Sequence, residues 1–123
     1  MIWYKNAGVM MKIDSFAFGS ISIGGRTFAS DVIVYPDRVQ SPWVREEEHR
    51  PQISEFADIV KAEPDVLVIG TGYAGVMSVA DQLRNYLTSR GIDVRVEKTK
   101  AAAELYYSLL GKEKVIAVLH ITF

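Results

Sequence analysis

Residues 66–69 read Val-Leu-Val-Ile, an uninterrupted apolar run of strand length. A strand that is apolar on both faces is typical of a parallel sheet that helices cover on both sides. The run therefore predicts a central, fully buried strand. It also requires flanking segments that supply helices, because such a sheet is built from strands and helices in alternation along the chain.

The second half of the chain has that alternation. Apolar residues at strand or helical spacing predict strands at 66–69, 92–96 and 115–121 and helices near 76–90 and 100–110. A crossover from strand to helix to strand within one sheet is right-handed in nearly all cases, so the first two strands are expected to be parallel. Their carboxyl ends then lie at the same edge of the sheet.

A change of side-chain parity marks the N-terminal β region. Phe16 and Phe18 alternate with small residues, and so do Ile21 and Ile23, but the two pairs are out of phase. One continuous strand cannot place all four side chains on one face, because successive side chains point to opposite faces. We therefore predict a bulge or bend at Gly19-Ser20.

The rest of this region predicts a hairpin and a connecting helix. Gly24-Gly25 supplies the positive φ angles of a tight hairpin turn, and 27–35 is the predicted return strand. A short strand is expected within 39–44, and residues 53–60 have the apolar spacing of a helix. The hairpin must either join the edge of the sheet or pack on it as an extra layer.

Together these elements predict an α/β fold: a three-layer domain with a mixed, largely parallel central sheet flanked by helices, plus an N-terminal β-hairpin. The length of 123 residues suits one domain. Residues 12–123 are the predicted domain. Residues 1–11 are either an N-terminal extension or an edge strand, and the sequence leaves these two alternatives open.

Composition argues against several classes of function. The chain has no cysteine, which removes disulfides, thiolate nucleophiles and cysteine-ligated zinc. Its net charge of −1 gives no basic stripe for nucleic acid, and no apolar stretch approaches the roughly 20 residues that cross a bilayer. Because no basic leader precedes a long apolar run, we expect a cytoplasmic protein that binds neither nucleic acid nor membrane. The oligomeric state is left open.

The segment Gly70-Thr71-Gly72-Tyr73-Ala74-Gly75, called the glycine loop below, has the G-x-G-x-x-G pattern between a predicted strand and a predicted helix. In dinucleotide-binding folds such glycines let the backbone approach a pyrophosphate, whose charge the helix N-terminus attracts. The chain has no second mononucleotide-binding half, so we predict no cofactor and no tight binding of NAD or FAD. The alternatives are a sharp turn with close packing, which we favour, and a site for a smaller anion.

A second loop strengthens the anion hypothesis. Lys98-Thr99-Lys100 follows the next predicted strand, and Thr99 is a good N-cap for the next helix. Two helix N-termini and two lysines would then share the carboxyl edge, where ligands of open α/β sheets bind. Sulfate, phosphate or a metabolite carboxylate is the expected occupant. The candidate ligand-binding residues are Gly70, Thr71, Gly72, Gly75, Lys98, Thr99 and Lys100.

No complete catalytic or metal-binding constellation is visible in the sequence. The chain lacks the G-x-S-x-G elbow of serine hydrolases and the P-loop motif. His49 lies in a charged loop with no second histidine at a ligand spacing, and His120 lies in an apolar strand, as a hydrogen-bonded core residue would. We predict no catalytic residue and no metal site. Trp43, Arg45 and His49 form a candidate surface patch, with packing of Trp43 on the first helix as the alternative.

Several of these segments, in their order and spacing, resemble a known family. They are the opening strand from Ser15 to Ile23, Trp43 with Arg45 and His49, the runs 67–72 and 91–94, Thr99 with Ala102 and Tyr106, and His120. The chain is similar to a small domain-of-unknown-function family of archaea and bacteria that includes the adipogenesis-associated domain protein and mitochondrial complex I assembly factor three. The resemblance covers nearly everything from residue 12 onward. It implies a compact three-layer fold with a mixed central sheet, and it implies no reaction, cofactor or catalytic residue.

Two functions follow as hypotheses. The first is a non-enzymatic protein-interaction or assembly module with an unknown protein partner, which the lack of a catalytic constellation and the resemblance to an assembly factor favour. It predicts an exposed apolar or aromatic patch away from the glycine loop. The second is a binding protein or enzyme for a small anionic metabolite at the glycine-loop edge. It predicts a concave pocket lined by Thr71, Gly72, Lys98 and Thr99.

Overall fold

The apolar run that begins at Val66 forms a strand that is buried along its whole length. It is one of nine strands in the computed structural model, which describes residues 2–5 and 10–123. The strands are β1 (Ile2–Lys5), β2 (Ile13–Ala17), β3 (Ser20–Ile23), β4 (Arg26–Phe28), β5 (Val32–Val34), β6 (Arg38–Ser41), β7 (Val66–Gly70), β8 (Asp93–Glu97) and β9 (Val115–Leu119). The helices are α1 (Ala57–Lys61), α2 (Asp81–Ser89) and α3 (Thr99–Leu109), and a 3-10 turn, Ile53–Phe56, leads directly into α1.

Six strands form one mixed sheet in the order β1-β6-β5-β9-β7-β8. Strand β7 lies between β9 and β8 and is parallel to both, while β5, β6 and β1 continue the sheet from β9 in antiparallel pairs. The register places Gly70 opposite Glu97 on one side and opposite Leu119 on the other. The three parallel strands, all predicted from their apolar patterns, therefore end together, and the segments that follow them share one edge.

The two faces of this sheet are covered by different layers. On one face, Val66 and Val68 pack under α3 and under a separate three-stranded sheet in the order β2-β3-β4. On the other face, Leu67 and Ile69 pack under the 3-10 turn, α1 and α2. Each apolar side chain of this size that is fully withdrawn from water stabilises the fold by about 1.5–3 kcal/mol. The predicted three-layer α/β fold with a mixed central sheet is confirmed, with the hairpin region as the extra layer. Two of the five strand pairings in the six-stranded sheet are parallel and three are antiparallel.

Strand β1 lies at the outer edge of the six-stranded sheet, where it pairs with β6 in antiparallel register. Of the two alternatives for residues 1–11, an edge strand is what residues 2–5 form. Residues 1 and 6–9 lie outside the described part of the chain. The boundary between 1–11 and a domain at 12–123 stays a prediction.

The parity change near Gly19 has a different cause from the bulge that we expected. Strands β2 and β3 are antiparallel partners, with Phe16 opposite Ile21. Phe18 and Gly19 therefore form a tight hairpin turn, in which Gly19 has a φ of +78°. The break in pairing lies where it was predicted, but it is a reversal of the chain. A reversal changes the side-chain phase just as a bulge does, so the apolar pattern does not distinguish them.

The predicted return strand 27–35 is divided between the two sheets. Strand β4 ends at Phe28 in the three-stranded sheet, the chain bends, and β5 begins at Val32 in the six-stranded sheet. Phe28 and the residues of β5 are buried on both sides of the bend, which explains why the pattern is that of one strand. The bend brings Asp31 next to Ile121, two residues beyond the end of β9.

The helix predicted at 76–90 begins only at Asp81. Residues 71–80 form a loop instead, in which the amide of Met77 donates to the carbonyl of Thr71 and the amide of Ser78 donates to the carbonyl of His49. These main-chain bonds hold the segment in a non-helical path although its apolar residues keep helical spacing. The glycine loop is therefore not followed directly by a helix, and the prediction that it opens one is wrong.

Candidate functional site

The backbone amides of the glycine loop are engaged by other parts of the chain. Four successive residues after the end of β7 donate hydrogen bonds to neighbouring segments, two of them to the main chain of residues 122–123. An anion in this loop would need those same donors. The donor–acceptor pairs are Thr71 N to Glu97 O (2.9 Å), Gly72 N to Thr99 Oγ1 (2.8 Å), Tyr73 N to Thr122 O (2.7 Å) and Ala74 N to Phe123 O (3.0 Å).

Close packing explains two of the glycines. A Cβ atom at Gly72 would lie 2.4 Å from the carbonyl carbon of Phe123, and the φ of Gly72 is +111°. A Cβ atom at Gly70 would lie 2.8 Å from Cδ2 of Leu119 and 2.9 Å from Oγ1 of Thr99. All three distances are shorter than side chains tolerate, so these positions require glycine for the approach of neighbouring segments of the chain and not for the approach of a phosphate.

Thr99 joins the loop to the last strand and does not cap α3. The N-cap of α3 is Lys98, and no side chain caps this helix. The buried hydroxyl of Thr99 accepts from Gly72 N and donates to the carbonyl of His120 over 2.6 Å. The predicted capping role is therefore wrong, and the hydroxyl has no remaining proton with which to hold an anion.

The predicted pair of helix N-termini is also incomplete. Helix α3 begins at this edge, but α2 begins eleven residues after Gly70, beyond the loop. Lys98 and Lys100 are exposed and border an open cavity of about 490 Å³ together with Tyr73, Ala101 and Glu104. This cavity includes neither Thr71, Gly72 nor Thr99, so it differs from the pocket that the anion hypothesis requires.

A groove runs along α3 from this cavity. Between β2 and α3 it widens into a second cavity of about 330 Å³, whose lining includes Ile13, Phe16, Lys100, Ala103, Glu104 and Tyr107. The two cavities share Lys100 and Glu104 and therefore adjoin each other. We call this surface the β2–α3 groove. Tyr107, on the α3 side of the groove, is 56% exposed.

Exposed aromatic rings stand at the end of the groove nearest the glycine loop. The ring of Tyr73 lies 6.3 Å from that of Phe16 and 6.0 Å from that of Phe18, measured between centroids, and Phe18 lies 5.0 Å from Phe123. Tyr73, Phe18 and Phe123 are each about half exposed or more. An aromatic patch is thus present, but it adjoins the glycine loop, whereas the interaction hypothesis placed it elsewhere.

The candidate surface patch of Trp43, Arg45 and His49 is largely buried. Trp43 is 4% exposed and packs edge-on against Phe56, 6.0 Å between centroids, which is the alternative packing against the first helix. The guanidinium of Arg45 lies 4.1 Å from the centre of the Trp43 ring, and its side chain is 2% exposed. His49 alone of the three is partly exposed. Trp43 and Arg45 therefore belong to the protein interior, and the three residues do not form an exposed patch.

Arg45 and His120 converge on the carboxylate of Asp31. Oδ2 of Asp31 accepts from Nη2 of Arg45 over 2.5 Å and from Nδ1 of His120 over 2.8 Å, while Oδ1 accepts from the amide of Ile121 over 2.8 Å. Burial alone would raise the pKa of Asp31, but the bonds from His120, Arg45 and Ile121 outweigh it and hold this pKa below its usual value. His120 is fully buried and hydrogen-bonded, as expected from the sequence.

The fold also brings His49 against His120. The two rings are 5.1 Å apart between centroids at an angle of 73°, and Glu48 lies beside them. We call Glu48, His49 and His120 the histidine cluster. Sequence reasoning missed it, because its two histidines are 71 positions apart and no spacing rule links them. The acidic run before His49 was the available signal, and it did not identify the distant partner.

With the fold and these sites described, comparison with known proteins places the chain. The model of the protein family of unknown function DUF498/DUF598 matches residues 13–120. The chain belongs to this family. The resemblance found in the sequence is thereby confirmed.

Several solved structures share the fold of this chain. A conserved hypothetical protein of Pyrococcus horikoshii is 28% identical with a TM-score of 0.80, over 92% of this chain and 100% of that one. A Bordetella pertussis protein described as a Mth938-like domain is 18% identical with a TM-score of 0.67, over 98% and 92%. A protein of Bartonella henselae described as an outer membrane protein is 20% identical with a TM-score of 0.78, over 94% and 98%. Among the described residues of this chain, no helix has the length and apolar character to cross a bilayer.

Proposed function

We propose that this DUF498/DUF598 domain is a non-enzymatic protein-binding module that takes an extended segment of a partner protein into the β2–α3 groove. The observation that carries the proposal is an edge of β2 that has no partner strand among the described residues and borders a groove with exposed aromatic rings, Tyr107 on its α3 side and Tyr73 and Phe18 at one end. The strand edge supplies backbone hydrogen bonds, and the aromatic rings supply apolar contact. The cytoplasmic location and the assembly role predicted from the sequence are part of the same proposal.

The backbone of β2 supports the addition of a strand. In the three-stranded sheet β2 is an outer strand, paired with β3 on one side and, within residues 2–5 and 10–123, with no strand on the other. An edge of this kind has unpaired N–H and C=O groups. An extended peptide can satisfy them by adding a fourth strand, the mode of recognition known as β-augmentation.

The side chains of the groove support binding of apolar anchors. The cavity of about 330 Å³ falls at the lower end of the range for ligand pockets, about 300–1,000 Å³, and has room for one or two large side chains. Tyr and Phe are enriched at protein interfaces because each ring contributes a large apolar area at a small cost in conformational entropy. Tyr107 and Phe16 are therefore expected to contact the anchor, and Tyr73 to contact the residues that follow it.

The charges of the groove favour a polypeptide over a phosphate-bearing ligand. Asp14 and Glu104 line the same cavity as Lys100. Over the whole groove these two carboxylates are matched by Lys98 and Lys100, and a peptide can present both signs in register, whereas a phosphate backbone presents negative charge alone.

A metabolite site at the glycine loop has less support. Four consecutive amides of the loop already donate to protein acceptors. Binding an anion there would require the displacement of residues 122–123, and each unsatisfied group that remained would cost about 1–3 kcal/mol.

A random linear peptide library displayed on phage tests the proposal. We expect selected peptides to carry alternating apolar residues and to bind the Tyr107→Ser variant about 30-fold more weakly, the effect of an anchor worth about 2 kcal/mol. Val44→Ser is the matched control, since Val44 is 67% exposed outside the groove. Failure to select any peptide, or selection of peptides that bind the Tyr107→Ser variant as tightly as the wild type, would overturn the proposal.

A further inference from the structure

The histidine cluster has the composition and the arrangement of a metal site. Within the part of the chain that the structure describes, ligand atoms of Glu48, His49 and His120, one from each, all lie within 4.8 Å of one another. We propose that these three side chains bind a divalent metal ion of the zinc type. This site is independent of the β2–α3 groove and of the peptide that the groove is proposed to bind.

The hydrogen bond between Asp31 and His120 prepares one ligand nitrogen. The Asp31 carboxylate accepts hydrogen bonds from an arginine and from a backbone amide. Because an ionised carboxylate can only accept, Nδ1 of His120 must carry the proton in its bond to Asp31. The lone pair of the neutral ring is then on Nε2, where the hydroxyl of Thr122 makes a long contact of 3.4 Å. A carboxylate that fixes the tautomer of a ligating histidine in this way is the usual outer partner in zinc proteins.

His49 carries the nitrogen that lacks a partner. Its Nε2 atom is withdrawn from solvent and has no hydrogen-bond partner among the described residues. The nearest carboxylate oxygen, Oε1 of Glu48, lies 3.9 Å away, which is too far for a hydrogen bond. A buried imidazole nitrogen in this state costs free energy, and coordination to a cation would remove the cost.

The backbone around the cluster is held from two sides. Nε of Arg45 donates to the carbonyl of Glu48 over 2.9 Å, and the amide of Ser78 donates to the carbonyl of His49 over 2.8 Å. The positive charge of Arg45 is compensated by Asp31, so it does not exclude a cation from the cluster. The main chain of Glu48 and His49 is thus positioned in advance, as metal sites require.

The donor set identifies the class of metal. Two imidazole nitrogens and one carboxylate oxygen suit Zn²⁺, which in catalytic sites has three protein ligands and one open position. Bonds of about 2.0–2.1 Å in a tetrahedron place ligand atoms roughly 3.4 Å apart. The Glu48 side chain is 66% exposed, so it can move inward by the remaining distance.

Calorimetric titration of Zn²⁺ into the full chain, first freed of metal with a chelator, tests the site. We expect one Zn²⁺ per chain and a Co²⁺ derivative with the visible absorption of a low-coordinate site. His49→Ala should lower the affinity for Zn²⁺ by at least about 100-fold, because even the outer partners of metal ligands account for about 10–100-fold. His49 is partly exposed, so the variant should retain the fold, which circular dichroism will show.

Glu47→Gln is the matched control, because Glu47 is an exposed carboxylate next to the cluster. It should bind Zn²⁺ as the wild type does, whereas Glu48→Gln should bind more weakly and alter the Co²⁺ spectrum. Absence of saturable Zn²⁺ binding to the wild type would overturn the proposal. So would Zn²⁺ binding or a Co²⁺ spectrum that His49→Ala and Glu48→Gln leave unchanged.

Discussion

The glycine loop and strand β2 are neighbours that use their backbone polar groups in opposite ways. Tyr73 of the loop and Phe16 of the strand have rings 6.3 Å apart. In the loop, four consecutive amides donate to acceptors of the same chain. In β2, one side pairs with β3, and the other side has no partner strand within the described residues. The glycine loop, which has a ligand-binding motif, is therefore closed to a ligand because its amides are already engaged. Strand β2, which has no motif, is open because one of its edges has no partner strand among the described residues.

The difference shows what a glycine motif establishes. Glycines mark a place where the backbone permits a close approach, but they do not determine what approaches. Here the main chain of residues 122–123 takes the position that a phosphate would need. Capacity for a ligand depends on which donors and acceptors remain unused after folding, and that count requires the tertiary structure.

Substitution of Gly72 is the strongest test of the closed loop. Gly72→Ala introduces a Cβ 2.4 Å from a main-chain carbon at a φ of +111°. The left-handed conformation and the overlap together should lower the free energy of unfolding by about 3–5 kcal/mol. Urea denaturation measures the change.

Gly25→Ala is the control for that test. Gly25 also has a positive φ, +82°, but a Cβ there meets no atom of the described residues within 4 Å. Its cost should be about 1–2 kcal/mol, from the backbone conformation alone. Equal losses for the two variants would mean that the carbonyl of Phe123 does not fill the loop.

Asp31→Asn tests what anchors the segment that fills the loop. The carboxylate holds the amide of Ile121, one residue before the carbonyls that engage the loop, and it neutralises the buried Arg45. Loss of one partner from a buried pair should cost about 3 kcal/mol. Asp37→Asn removes an exposed ion pair with Arg38 and should cost less than about 1 kcal/mol. Similar denaturation midpoints for the two variants would contradict this account.

Thr99→Val tests the bridge between the loop and β9. Removal of the hydroxyl leaves the amide of Gly72 and the carbonyl of His120 without their buried partner, at a cost of about 2 kcal/mol. Thr99→Ser keeps the hydroxyl and loses one methyl group, which should cost about 1 kcal/mol. If Thr99→Ser proves the more destabilising of the two, packing and not hydrogen bonding is the role of this residue.

Elements with long apolar patterns were predicted well from the sequence. The strands near 66, 92 and 115 and the helix near 100 are present, because burial on one or both faces dictates their periodicity. The errors lie at 18–19, 29–31 and 76–80, where a turn, a bend and a loop keep the apolar phase of the elements beside them. Main-chain bonds decide those segments, and such bonds leave no mark on side-chain periodicity.

The sequence identified some residues at this edge of the sheet, and their role in ligand binding stays a prediction. Lys98 and Lys100 do border a cavity, and Gly70 and Gly72 do need to be glycine. Neither the β2–α3 groove nor the histidine cluster was predicted, because each joins segments that are distant in sequence. Asp31 was also missed, since a lone aspartate in a bend has no pattern that links it to His120.

The smallest expected effect is that of anions at the glycine loop. Inorganic phosphate and NAD should leave the melting temperature of the protein unchanged, since the loop offers them no free amide at residues 71–74. A ligand at 100 times its dissociation constant would stabilise the protein by about 2.7 kcal/mol, so a thermal-shift assay has the necessary sensitivity. A shift that disappears in a Lys98→Ala variant would reopen the anion hypothesis.

Amide hydrogen exchange, followed residue by residue by NMR, tests the contrast between loop and strand most directly. In the free protein we expect slow exchange at residues 71–74 and fast exchange at those amides of β2 that do not face β3. A groove-binding peptide should slow exchange in β2 and leave residues 71–74 as they were. Fast exchange throughout 71–74 in the free protein, or peptide protection of the loop instead of β2, would contradict the account.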